Sequence, residues 1–435
     1  MKQNLFYFCF HRLKMNLWVL FGVLAAFFFS GCNPLYNLPN PTLPLSEDSL
    51  DDLVSLTSKL GYVPSYTTNG EGAGLLSGAG FGFCVVMRSG NIKCWGYNSN
   101  GQLGTGNTTN MDTPTLASVL TNISIANGDF AVAVSASLMT TCAYFKSGLK
   151  CWGDNSNGQF GTGNTTSSLI PVPVSNVSDK KMAGFAAGDV HSCASYTDGS
   201  MGCWGTNTSG QLGDGTLNQS LGGVSPNVSE KIISASASDK MTCVATASRK
   251  GICWGNALGY LGFTFSQNPT AVVSGATSAS RGNGAHMCFL IDDQTVQCFG
   301  NNVNGQLGNA STVTTTGPVS VNGLTSVGIV VAGQNHSCAA NNNFSTIYCW
   351  GDNSVGQLGI GSTTSYAIPK KVTGLPNQTI VDMAASDKVN CALLANDDVY
   401  CWGDNNSTAT PGPLGIAKST PFSPSATKIL NRADP

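Results

Sequence analysis

The sequence predicts an all-β fold, a closed body of seven similar sheets, each suited to be a propeller blade. Three observations carry this expectation. Fourteen of the sixteen cysteines fall into seven pairs: Cys84 with Cys94, Cys142 with Cys151, Cys193 with Cys203, Cys243 with Cys253, Cys288 with Cys298, Cys338 with Cys349 and Cys391 with Cys401. The second cysteines recur at intervals of 57, 52, 50, 45, 51 and 52 residues, which marks an array of one repeated unit. Within each pair a turn such as Ser89-Gly90, Ser147-Gly148, Asp198-Gly199 or Lys250-Gly251 separates two short strand-like runs, the mark of a β-hairpin.

Each element of the repeat has a reason. Two residues before the second cysteine lies an apolar residue in six of seven copies (Ile92, Leu149, Met201, Val296, Ile347, Val399), with Gly251 the exception. The strand period of two puts these on the cysteine face. The residue after the cysteine (Trp95, Trp152, Trp204, Trp254, Phe299, Trp350, Trp402) then faces the other way, so the sheet is apolar on both sides. A sheet covered on both faces by its like suits a propeller blade. Six residues before each first cysteine lies Gly or Ala (Gly78, Ala136, Ala187, Ala237, Gly282, Ala332, Ala385), as expected where innermost strands crowd an axis. After the aromatic comes Gly-Gln-Leu-Gly or a variant, at 101–104, 158–161, 210–213, 259–262, 305–308, 356–359 and a displaced 412–415. Proline-bearing segments such as Pro171-Val172-Pro173-Val174 and Pro369-Lys370-Lys371-Val372 read as edge strands.

The cysteines of a pair lie 9 to 11 residues apart around a tight turn, which sets them opposite each other on neighbouring strands. Cross-strand Cβ atoms are ~4.5–5.5 Å apart, close to the ~3.5–4.5 Å of a disulfide. Seven within-blade disulfides are expected. The alternative, thiolate metal binding, needs about four converging ligands, and pairs in separate blades do not converge.

The unit Ala-[Gly/Ser]-x-x-His-Ser-Cys-Ala … Asp-Gly-x-x-Cys-Trp-Gly-x-Asn-x-x-Gly-Gln-Leu-Gly resembles the regulator of chromosome condensation repeat, over about 72–430. The resemblance implies a seven-bladed β-propeller of four-stranded blades, here over 71–430. The paired cysteines resemble exported bacterial members of that family. Family members range from nucleotide exchange to inhibition of secreted enzymes and surface binding, so the fold does not carry the function. Departures from the unit are Gly259-Tyr260-Leu261-Gly262, Phe299 and an insertion, Thr408-Ala409-Thr410-Pro411, and these predict local loop changes. Repeat one starts with no preceding outer strand, so the tail around Pro424–Leu430 is expected to supply the outer strand of the first blade and close the ring between N- and C-terminal strands.

Ahead of the repeats, residues 1–31 read as a secretory signal: Lys2, Arg12 and Lys14, then an apolar run over 15–29, then Ser30-Gly31-Cys32. The small-small-Cys ending resembles a bacterial lipoprotein signal with Cys32 as the lipidated residue. An ordinary cleaved signal or a signal anchor is the alternative. By resemblance to Gram-negative lipoproteins, Asn33 in place of Asp points to the outer membrane. Removing the signal removes Cys9 and lipidation consumes Cys32, which leaves the fourteen paired cysteines. Residues 32–70 form a tether with four prolines over 33–45, followed by either a short amphipathic helix at about 47–60 or a plain linker.

Charge excludes some functions. Charged residues are 10% of the chain, Lys+Arg 21 balance Asp+Glu 23, and no run of five like charges exists. No nucleic-acid partner is expected, because such binders carry a basic face. No nucleotide-loop, zinc-protease or hydrolase-elbow motif occurs, so no cofactor, metal or catalytic residue is assigned. His191, His286 and His336 recur two residues before a first cysteine and read as structural. Asp154-Asn155-Ser156-Asn157-Gly158 and Asp352-Asn353-Ser354-Val355-Gly356 echo a calcium loop but lack its terminal glutamate and read as turns. The candidate partner surface is a rim of loops before the first cysteines: Asp189, Asp239, Lys240, Gln334, Asn335, Asp387 and Lys388. The functional expectation is a lipid-anchored envelope module that binds an unknown protein or glycan without catalysis. The alternatives are an inhibitor of a secreted enzyme and, more weakly, an enzyme with a site at the channel mouth.

Overall fold

Twenty-eight strands among the described residues pair into seven antiparallel sheets of four, one per repeat. The computed structural model describes residues 75–117, 129–175, 180–238, 240–256, 266–281, 286–405, 412–416 and 420–433, all within the unit Val54–Pro435. The signal, Cys32, the tether with its 47–60 segment, Asp239, the turn 259–262 and the insertion 408–411 lie outside the described residues.

The first blade shows the plan, with strands Leu76–Ala79, Gly82–Val86, Ile92–Gly96 and Met111–Leu116 in sequence order. The hairpin register sets Cys84 opposite Cys94, and the two are joined as a disulfide. The other six blades repeat the arrangement. Cys142 is bonded to Cys151, Cys193 to Cys203 and Cys243 to Cys253. Cys288 is bonded to Cys298, Cys338 to Cys349 and Cys391 to Cys401. Each bond joins residues directly opposite in the register of the second and third strands. Cα–Cα distances of 4.0 to 4.1 Å reflect that placement. The pairing is the one the spacing predicts, and it takes up every cysteine among the described residues.

The first strand of each blade packs against the first strands of its two neighbours. This chain of contacts runs right round the axis, with Leu76–Ala79 meeting Ile380–Ala385. The fourth strands are half-exposed, and six of the seven carry a proline, as suits an edge. The fold is a seven-bladed all-β propeller.

Seams between blades explain the repeat motif. The third-strand tryptophans are buried. The Nε1–H of Trp152, Trp204, Trp254 and Trp350 donates to the backbone carbonyl of Gln102, Gln159, Gln211 and Gln306, each in the Gly-Gln-Leu-Gly turn of the preceding blade. The last glycine of that turn lies under the ring. A Cβ on Gly308 would stand 2.7 Å from the Trp350 Nε1. The hydrogen bond contributes about 1 kcal/mol, whereas burying ~200 Å² of indole contributes about 5 kcal/mol. Packing therefore decides the seam, which is why Phe299, with no N–H, serves in the fifth blade. Gly251, the exception among the apolar positions, makes room for Phe289 of the next blade.

A paired substitution tests this packing. Gly308 and Gly323 share nearly the same left-handed backbone, φ +69° and +70°, but nothing lies within 4 Å of a Cβ on Gly323. Gly323→Ala is expected to cost about 1 kcal/mol of backbone strain. Gly308→Ala is expected to cost at least about 2 kcal/mol more, because the ring is trapped in a close-packed seam. Equal losses in urea unfolding would count against a tight seam.

The closure of the ring corrects the sequence expectation. The tail strand Phe422–Asn431 pairs with Asp398–Asp404 and so completes the seventh blade, while the first blade owns its fourth strand. No blade mixes strands from the two chain ends. The reason is the phase of the repeat: every blade begins at its innermost strand, so the last repeat needs an outer strand and the first does not. Side chains and turns close the seam instead. Asp397, in the seventh hairpin, pairs with Arg88 of the first blade and with Arg432 just after the tail strand. Arg432 Nε also donates to the Val86 carbonyl. Trp95 donates to the Pro413 carbonyl, so the displaced motif 412–415 still supplies the acceptor although proline replaces glutamine. On the innermost strand, the buried Asp382 carboxylate accepts from the Leu76 amide across the seam. Burial pushes the Asp382 carboxyl up to about 6, an effect that backbone amides and Arg432 oppose.

Candidate functional site

Loops between first and second strands leave each blade on the same face as the Gly-Gln-Leu-Gly turns, as the bond from Gln102 Nε2 to the Leu138 carbonyl shows. The rim residues sit in these loops. Asp189 Oδ1 accepts from the Leu138 amide of the preceding blade. The Gln334 amide donates to the Asp387 carbonyl, and the Asp387 amide donates to the Gly80 carbonyl of the first blade. Asp189, Gln334, Asn335, Asp387 and Lys388 are half-buried, and Lys240 is exposed. Asp239 lies outside the described residues. This face is a braced platform: loop backbones are tied to their neighbours, and no ion pair among the described residues uses Lys240 or Lys388.

The histidines belong to the seams below this face. His191, His286 and His336 Nε2 lie 2.7, 2.8 and 3.0 Å from Thr242 Oγ1, Ser337 Oγ and Asn390 Oδ1 of the following blade. Those three side chains in turn donate to the carbonyls of Gln211, Gln306 and Gln357. A hydroxyl that gives its single proton to a carbonyl must accept from imidazole, so Nε2 carries the ring proton. Burial depresses the His336 pKa to about 4, and the Asn390 contact and Asp352 charge oppose this only in part. All three rings are structural links between blades, and His336 is neutral near neutral pH. A Cβ at position 333 would collide with the His336 ring, so a glycine precedes that histidine by three residues. Three of the four non-histidine repeats have Ser137, Ser238 and Ser386 at the same place, and the first has Ala79.

The two calcium-like turns are self-contained. Asp154 accepts from Ser156 and Gln159, and Asp352 accepts from Ser354 and Gln357. Among the described residues no group of three or more His, Cys, Asp or Glu is placed to hold a metal.

The opposite face carries something that charge counting missed. Lys146, Lys181, Lys231 and Arg249 stand exposed at the hairpins and blade entries of the second to fourth blades, with no ion-pair partner among the described residues. Beside them Lys150, Lys180 and Lys250 are paired with Asp129, Asp198 and Glu230. The chain balances its charge as a whole, but the repeat gathers these cations on one sector. Placing each charge by its phase within the repeat would have revealed them.

The repeat that builds these seams and loops is a known one. A profile of the regulator of chromosome condensation (RCC1) repeat matches residues 89–144, 151–195, 294–340 and 346–393, and a second profile of that repeat matches 329–357 and 380–408. The chain carries RCC1 repeats. It is 27% identical over 360 residues to the ultraviolet-B receptor UVR8 of Arabidopsis thaliana, covering 79% of each chain. It is 25% identical over 335 residues to the human E3 ubiquitin-protein ligase HERC2, spanning only 6% of that much longer protein. Among solved structures it is similar to Prp20p of Saccharomyces cerevisiae, described with its binding to Gsp1p and histones. That similarity has a TM-score of 0.67 at 20% identity and covers 79% of this chain and 86% of that one. It establishes the RCC1-like propeller fold.

Proposed function

We propose that this chain is an exported, lipid-anchored RCC1-like propeller that binds a protein or glycan and performs no chemistry of its own. The state of the cysteines carries the reading: every cysteine among the described residues is in a disulfide. Disulfides persist in oxidising compartments and are rare in the cytosol. That supports a signal at 1–31, a lipidated Cys32, a tether to residue 70 and an outer-membrane destination. It argues against nucleotide exchange on a cytosolic partner. The binding half rests on the braced platform and on relatives that act as a receptor, UVR8, or are described with protein partners, Prp20p. The histidines and turn carboxylates are held in structural bonds, which favours binding over catalysis.

Metabolic labelling with a palmitate analogue tests the anchor: the wild-type chain is expected to take up label and Cys32→Ser is not. Equal labelling of both would overturn lipidation. The exported protein used as bait against envelope extracts and immobilised glycans tests the binding. A stoichiometric protein or a retained glycan is expected, a captured and silenced secreted enzyme would favour inhibition, and turnover of a glycan would overturn the non-catalytic reading.

A further inference from the structure

The sixth blade differs from its six fellows at its hairpin. Its cysteines, Cys338 and Cys349, are 11 residues apart, against 9 or 10 elsewhere. The extra residue falls in Asn341-Asn342-Asn343-Phe344-Ser345-Thr346. Phe344 takes a left-handed backbone, φ +53°, and its ring folds over Gly328, where a Cβ would stand 2.8 Å from it. The Phe344 carbonyl then accepts from the Ile380 amide of the seventh blade. This turn raises three consecutive asparagines into a wall. Facing it is the connection from the fifth blade, Asn322-Gly323-Leu324-Thr325-Ser326, where Ser326 is also left-handed at φ +57°. The left-handed turn position itself recurs at Arg249, Gln294 and Asp397 in other hairpins, so it is the added residue that sets this turn apart.

Between the two walls runs an open groove of about 580 Å³, with Tyr348, Ile368 and Pro369 from the third and fourth strands of the sixth blade also lining it. The volume falls in the range of ligand sites, roughly 300–1,000 Å³. No Asp, Glu, Lys, Arg or His lines it. Part of its polar equipment is committed: Asn341 Oδ1 accepts from the Ser345 and Thr346 amides, Asn343 Oδ1 accepts from Ser345, and Asn342 Nδ2 donates to Gln294. The Asn322 backbone N–H donates to the Gly308 carbonyl, but its side-chain amide, the Asn343 Nδ2, the Asn342 Oδ1 and the Thr325 and Ser326 hydroxyls have no partner among the described residues and stay available to a ligand. Uncharged donors and acceptors above an aromatic and aliphatic floor match one chemistry. A pyranose presents ring hydroxyls to amides and its C–H face to an apolar surface, and it carries no charge that would need a partner.

We propose that this groove is a binding site for a neutral oligosaccharide. The proposal rests on the binding reading above and narrows it to one site and one ligand class. It lies on the hairpin side of the disc, away from the rim residues.

The test is ligand-observed NMR with the whole secreted chain and three probes: chitotetraose, maltotetraose and mannotetraose. Saturable binding of at least one, with a dissociation constant of about 1 mM or tighter, is expected. Asn343→Arg places a long side chain in the groove from an exposed position and is expected to weaken that binding at least about tenfold, and Tyr348→Ala likewise. Lys240→Gln on the other face is expected to leave it unchanged, and melting curves identify any variant that fails to fold. The proposal is overturned by no binding of any probe at about 10 mM, by equal binding of Asn343→Arg, or by binding only of a peptide or an anionic glycan such as heparin. Such a failure leaves the bait experiment on protein partners intact, whereas an empty bait experiment with a positive groove would overturn the protein-binding half alone.

Discussion

Deleting residues 421–435 is expected to lower the melting temperature by more than about 10 °C and to unravel the seventh blade first. The deletion removes the strand Phe422–Asn431 and bares the edge of Asp398–Asp404, an invitation to edge-to-edge association. It also removes Arg432, which is 6% exposed and pairs with Asp397, itself 7% exposed. Arg88 still pairs with Asp397 after that loss, so the cost stays below the roughly 3–5 kcal/mol of a fully stranded buried charge. For a propeller of this size each kcal/mol lowers the melting temperature by roughly 1–2 °C. Arg432→Ala isolates the clasp and is expected to account for about half the loss. Hydrogen exchange locates the damage: protection is expected to fall in Asp398–Asp404 and to hold in Ile92–Gly96. An unchanged melting curve, or loss in the first blade instead, would refute the closure described above.

Reduction is expected to have the larger effect. Each disulfide closes a loop of about ten residues, worth roughly 2–3 kcal/mol in the chain-entropy model. Seven such loops sum to an upper bound of about 15–20 kcal/mol, as much as the whole stability of an ordinary domain. The fully reduced chain is therefore expected to be unfolded at 37 °C, and the oxidised chain stable. The bridged cysteines are at most 7% exposed, so reductant acts only as blades open. Thiol titration in guanidinium should find none of the fourteen propeller cysteines free before reduction and all of them after. A reduced chain that melts with the oxidised one would mean the bridges are ornaments on a self-sufficient core.

Much of this is legible in the sequence because the signals are local. A cysteine pair across a tight turn, such as Cys193 and Cys203, reports its own hairpin. Alternation about Cys94 and Trp95 reports two covered faces, and Pro171 or Pro369 reports an edge. The histidines read as structural for the same reason, since they recur at a fixed repeat position. What escapes is relational. Nothing in the string Gly-Gln-Leu-Gly says that its glutamine carbonyl meets the tryptophan of the next repeat. Nor does the position of Asp397 announce two arginines, at 88 and 432, from opposite ends of the chain. Sequence reasoning puts the tail in the wrong blade because strand pairing depends on the phase at which the chain enters the ring, and several phases give the same periodic sequence. The groove beside the sixth hairpin escapes because the 11-residue spacing of Cys338 and Cys349 shows an inserted residue but not what the lengthened turn faces.

The sequence by itself determined the number of blades, the hairpin in each, the cysteine partners and the two apolar faces. All of these follow from periods and spacings that act within one repeat. Only the tertiary structure decided which seam each tryptophan fills, how the two ends meet and which loops form a groove. Those outcomes depend on curvature around an axis, which brings together residues some fifty positions apart, or some three hundred at the closure, with no local pattern to announce them.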